Sequence, residues 1–139
     1  MAKTDPVTAR RVLVAGYNDM NRALVEAALG RMGVVVEAVS DPLRAADAVR
    51  ARDFDLVLLD LPQPVLDGVA VLRRIRAVPG DRGLVPVVAL CNLMRAEDRL
   101  ALVAEGVDGF LAKPLKWPAL AGTVQALTAL DDLPLRRRA

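Results

Sequence analysis

Asp55-Leu56-Val57-Leu58-Leu59-Asp60 decides how this chain folds. Four consecutive apolar residues between two carboxylates are too short for a buried helix and leave no face for water. That pattern marks a strand covered on both sides. Pro86-Val87-Val88-Ala89-Leu90 has the same character, and these two runs are expected at the centre of a sheet. Val12-Leu13-Val14-Ala15, Val34-Val35-Val36-Glu37-Ala38 and Gly109-Phe110-Leu111 supply three further strand candidates. Stretches of helical period lie near 19–31, 42–52, 67–77, 95–104 and 117–130. Strands alternating with helices are the signature of βα units on a parallel sheet, and five units account for the chain.

The punctuation fits this division. Asp19, Asp41 and Asp67 stand where an N-cap or first-turn acid would help a helix, Gly30 and Gly33 mark the end of the first, and Glu105-Gly106 ends the fourth. Pro114 and Pro118 bracket the opening of the fifth. Trp117, Leu120, Val124, Leu127 and Leu130 form that helix's apolar side, with Trp117 also placed to meet a partner. Residues 1–9 read as a flexible N-terminal tail, 10–131 as one domain and 132–139 as a basic C-terminal tail, with no repeat and no output domain after residue 130.

Composition removes several functions. With no histidine and a single cysteine among 139 residues, zinc centres, Ser-His-Asp triads and Cys-His dyads are excluded by inventory. Without Arg136, Arg137 and Arg138 the formal charge falls from +2 to −1, so the basic balance is a tail effect and specific nucleic-acid binding is not expected. No apolar run reaches the ~18 residues of a membrane span, and Met1-Ala2-Lys3-Thr4-Asp5-Pro6 lacks a signal-peptide core, so no membrane association and a cytoplasmic location are expected.

In an open parallel sheet, ligands bind outside the carboxyl ends of the strands. Here those positions are Gly16-Tyr17, Asp60, Cys91-Asn92 and Lys113. A carboxylate at Asp60 faces a cleft with low-dielectric walls, where it can accept a phosphoryl group or pair with a cation, and Lys113 is the natural partner. The turn Ala15-Gly16-Tyr17-Asn18-Asp19-Met20 is no Gly-x-Gly-x-x-Gly loop, which argues against a flavin or dinucleotide enzyme.

Arg11-Val12-Leu13-Val14 with Asn21-Arg22, Asp55 to Asp60, Pro64-Val65-Leu66-Asp67-Gly68, Pro86 to Leu90, and Gly106 to Pro114 together resemble the receiver domain of bacterial response regulators over about residues 10–130. The resemblance implies an α/β fold of the CheY-like, flavodoxin-like kind: a (βα)5 three-layer sandwich whose five parallel strands run in the order 2-1-3-4-5. It implies that Asp60 is the phosphoacceptor, that Lys113 contacts the phosphoryl oxygens, that Cys91 and Phe110 are switch positions, and that the Lys113-Pro114 bond is cis.

Departures from the family pattern fall in the same pocket. The acidic pair that holds Mg²⁺ in the family is replaced by Gly16 and Tyr17, and the hydroxyl residue after the fourth strand by Cys91, a weak hydrogen-bond donor. Three carboxylates and a lysine give the family's pocket a charge of −2, whereas Asp60 and Lys113 alone give 0. We therefore expect a direct Asp60–Lys113 ion pair, with Tyr17 filling space a hydrated metal would take and Mg²⁺ binding weak or absent. Asp19 is read as a helix cap rather than a substitute ligand, and Cys91 as a small buried hydrophobe rather than a redox sensor. Phe110, lacking a hydroxyl, is expected to stay buried.

The function expected is that of a stand-alone, atypical receiver, or pseudo-receiver, that is not an enzyme and binds a signalling protein: a histidine kinase, a phosphotransfer protein or a downstream effector. Its binding face would be the fourth helix, fifth strand and fifth helix, which could also form a homodimer. The alternative is a working phosphoreceiver that takes a phosphoryl group onto Asp60.

Overall fold

A computed structural model describes residues 10–16, 19–61, 66–92, 94–113 and 115–127. Strands β1 (Arg11–Ala15), β2 (Val35–Val39), β3 (Leu56–Asp60), β4 (Val87–Cys91) and β5 (Gly109–Ala112) alternate with helices α1 (Asp19–Gly30), α2 (Ala45–Ala51), α3 (Leu66–Arg76), α4 (Ala96–Ala104) and α5 (Trp117–Leu127). All pairings are parallel, and the order across the sheet is β2-β1-β3-β4-β5. This is the expected α/β sandwich with strand order 2-1-3-4-5.

The pleat sorts each interior strand between two cores. Leu13, Ala15, Val57, Leu59, Val87 and Ala89 point to one face, where Val49 of α2, Val71, Leu72 and Ile75 of α3 and Leu102 of α4 cover them. Val12, Val14, Leu56, Leu58, Val88 and Leu90 point to the other, under Val25 and Leu29 of α1 and Leu120 and Val124 of α5. β3 and β4 are buried along their whole length, as their unbroken apolar runs require. Each fully buried leucine contributes about 1.5–3 kcal/mol, so the two interior layers dominate stability.

Differences from the sequence expectation lie at the edges of elements. The 42–52 stretch opens as a 3-10 turn, Pro42–Arg44, before α2 begins. Pro42 favours the tight first turn, and Asp41 caps it by accepting a hydrogen bond from the Leu43 amide at 2.9 Å. Asp60 belongs to β3 itself, because the ladder continues through it opposite Leu90. Gly33 and Gly106 take positive φ after α1 and α4, the left-handed positions that end those helices. The side chains of Asp19 and Asp67, the tails 1–9 and 132–139, the residues 128–131 and Pro114 with its expected cis bond lie outside the described residues. No described helix is long and apolar enough to cross a membrane.

Candidate functional site

The carboxyl edge of the sheet is levelled by backbone hydrogen bonds that carry the ladder past the strand ends. The Gly16 amide donates to Val39 O at 3.1 Å, the Leu61 amide to Leu90 O at 3.1 Å and the Lys113 amide to Cys91 O at 2.9 Å. These bonds set Gly16, Asp60, Cys91 and Lys113 side by side at one rim.

Asp60 is the buried charged residue of that rim, 5% exposed. Lys113 reaches back across the end of β4 and its Nζ pairs with Asp60 Oδ1. Both side chains are largely removed from water, at 17% and 6% exposure, so neither charge is strongly screened. The ion pair inferred from the charge count is present in the structure.

Gly16 is where sequence reading fell short. A Cβ built there would lie 2.4 Å from Asp60 Cβ and 3.2 Å from its Cγ. β1 and β3 approach so closely at this point that only glycine fits without a shift. The signal was available, since a glycine directly after a buried strand often marks close backbone approach. Tyr17, expected to fill the metal's space, lies outside the described residues.

A divalent cation would find one carboxylate on the described rim, that of Asp60, and it already holds Lys113. Gly16 offers no side-chain oxygen. Among the described residues no three acidic, cysteine or histidine side chains converge as a metal site.

Cys91 ends β4 as a buried free thiol, 7% exposed. Burial pushes its pKa up, against the opposing pull of the Arg99 and Lys113 charges. Phe110 departs from expectation, being half-buried. It packs against the α2–α3 core on one side, while the Arg99 guanidinium lies over its ring, 4.4 Å from the centroid. The cause is positional: β5 is an edge strand, and the cation covering the ring needs water. Arg99 was not singled out from the sequence, although it stands one turn before the buried Leu102 and so shares its side of α4.

The apolar stripe of α5 also divides. Leu120 and Val124 are buried and Leu127 is half-buried, but Trp117 is 46% exposed beside Ala27 and Ala28 of α1 and Arg31 just past its end. Leu130 lies outside the described residues.

Known proteins share this architecture and about a third of the sequence. The chain is 36% identical over 129 residues to the sensor protein GacS of Pseudomonas syringae pv. syringae, covering 90% of this chain and 14% of that protein. It is 35% identical over 132 residues to the transcriptional regulatory protein PrrA of Mycobacterium tuberculosis, covering 95% of this chain and 52% of that one. The chain thus spans about half, or less, of the curated relatives it matches. Among solved structures, the receiver domain of the sensor histidine kinase PA1611 from Pseudomonas aeruginosa superposes with a TM-score of 0.75 at 31% identity, over 87% of this chain and 98% of that one. The response regulator receiver domain family matches residues 12–125. Because that match runs from β1 into α5 and the fold found is the one those receivers share, this chain belongs to the response regulator receiver domain family of two-component signalling.

Proposed function

We propose that this receiver is an atypical one: a non-enzymatic, protein-binding module whose signalling does not depend on Mg²⁺-supported phosphorylation of Asp60. The observation that carries the reading is the contact between Gly16 and Asp60, with the Asp60 carboxylate held by Lys113. The PA1611 receiver was solved with a magnesium ion coordinated in its active-site cleft. At the rim of this chain the lysine supplies the positive charge that a metal would bring. In-line phosphoryl transfer relies on cations to neutralise developing charge, so a rim balanced by one lysine is poorly equipped for it.

The partner is a signalling protein of the same pathway class, a histidine kinase, phosphotransfer protein or effector, met in the cytoplasm. Leu100 and Val103 of α4, 68% and 51% exposed, support binding through α4, β5 and α5, and the same face suits a homodimer. The reading concerns the receiver itself and holds whether or not further domains accompany it. The second reading, a working phosphoreceiver, is favoured by one feature, the presence of both the acceptor Asp60 and the phosphate-contacting Lys113.

Intact mass after incubation with a small acyl phosphate and Mg²⁺ separates the two. We expect no adduct of phosphoryl mass on the wild type. An adduct that Asp60→Asn abolishes would establish the phosphoreceiver instead. Tyr17→Asp is the informative restoring variant, because it adds a carboxylate without the Cβ clash that Gly16→Asp would bring.

A further inference from the structure

Arg99 has a placement that the pocket chemistry does not use. α4 enters the core through Leu102, which is fully buried, and the same side of the helix one turn earlier sets Arg99 over the Phe110 ring. Arg95, a turn before that, is engaged with Glu97 and Asp98, whereas among the described residues no carboxylate pairs with Arg99. Its charge is directed to the aromatic face. Phe110 in turn pairs with Ala89 of β4, two residues before Cys91. The Arg99 charge also opposes the burial that raises the Cys91 thiol pKa.

We propose that Arg99 is a positioning residue: acting through Phe110, it holds α4 against β5 in one arrangement and thereby sets the surface offered by α4, β5 and α5. That this surface is the one partners meet rests on the function proposed above. Position 91 carries a weak donor in place of a hydroxyl, and the cation on the ring supplies a tie between helix and edge strand that needs no phosphoryl group. A cation on an aromatic face at a partly exposed site shifts a local equilibrium by about two- to fivefold.

Residue-resolved hydrogen exchange on the full chain tests this with wild type, Arg99→Ala, Arg99→Lys, Phe110→Leu, Arg99→Ala/Phe110→Leu and Asp60→Asn. Arg99→Ala is expected to speed exchange in α4 and β5 about two- to fivefold and to leave β1, β3 and α1 unchanged. Phe110→Leu should act alike, the double variant should add nothing further, and Arg99→Lys should restore part of the protection. Equal acceleration across the whole sheet, no change in α4, or full additivity of the two substitutions would overturn the proposal. Asp60→Asn examines the underlying reading separately. Unchanged α4 and β5 exchange supports a surface independent of the carboxylate. A shift there, with the Arg99–Phe110 pair still non-additive, removes that reading and leaves the positioning role standing.

Discussion

Gly16, just past the end of β1, lies hard against Asp60 at the end of β3, and a single methyl group measures how tight that meeting is. A Cβ 2.4 Å from the Asp60 Cβ cannot be relieved by moving the far end of a flexible side chain. The backbone of β1 or β3 must give way, or Asp60 must leave Lys113. Gly16→Ala is therefore expected to destabilise the fold by about 1–3 kcal/mol, the usual cost of overpacking, read as a lower urea midpoint with an unchanged slope. A neutral outcome would mean that the rim is looser than described and that Gly16 is only an absent ligand. Cys91 makes a second statement at this scale. Its thiol is 7% exposed and burial raises its pKa, so the reactive thiolate is scarcer at pH 8 than for a free cysteine. Alkylation of the native protein at that pH should run at least about tenfold slower than in denaturant and should rise with pH. Rapid labelling at pH 7 would contradict the buried, inert role.

At the opposite rim, one arginine binds several elements together. Arg76, the last residue of α3, donates to Gly83 O at 2.9 Å, Val85 O at 2.6 Å and Gly106 O at 2.6 Å, and it pairs with Asp108 at 3.1 Å. Asp108 Oδ2 also accepts the Val87 amide at 2.8 Å. The ends of α3, the 3-10 turn Gly80–Leu84, the start of β4 and the entry to β5 are thus tied to one guanidinium. The side chains of Arg76 and Asp108 are each 17% exposed, and truncating the arginine takes the donor from three part-buried carbonyls and a carboxylate. Arg76→Ala is expected to cost about 3 kcal/mol in chemical denaturation. Arg52→Ala, which breaks the open pair with Glu37, should barely move the midpoint. The contrast exposes what sequence reading sees. Strands and helices were legible because their signal is local: unbroken apolar runs, a period of 3.6, glycines just past helix ends. The Arg76 contacts join residues 7, 9, 30 and 32 positions apart and leave no periodic trace. The same holds for the 3-10 start at Pro42, where one proline reshaped an otherwise helical stretch.

Over the whole molecule, the sheet gathers β1, β3, β4 and β5 so that four strand ends share one rim, and the charge balance described there follows from residues far apart in the chain. The meeting of Asp60 with Lys113 was legible through the spacing of the motif. The Gly16–Asp60 contact and the Arg99–Phe110 stack were not, since each depends on the distance between packed elements. On the described rim the one carboxylate is already paired with a lysine, and the weak metal binding proposed above has a consequence for global stability. A ligand that binds only the folded state stabilises it by RT ln(1 + [L]/Kd), so Mg²⁺ at about 10 mM on a site with a Kd of about 1 mM would add roughly 1.4 kcal/mol. For a domain of this size that is a rise of several degrees in Tm, on the order of 4 °C. We expect a change of less than about 1 °C, the same for wild type and Asp60→Asn, because the metal would have to displace Lys113 from the carboxylate to gain its first strong ligand. A saturable rise of several degrees in the wild type, absent from Asp60→Asn, would show that the rim does open to a metal, and with it the ion pair would become a closed state of a working phosphoreceiver.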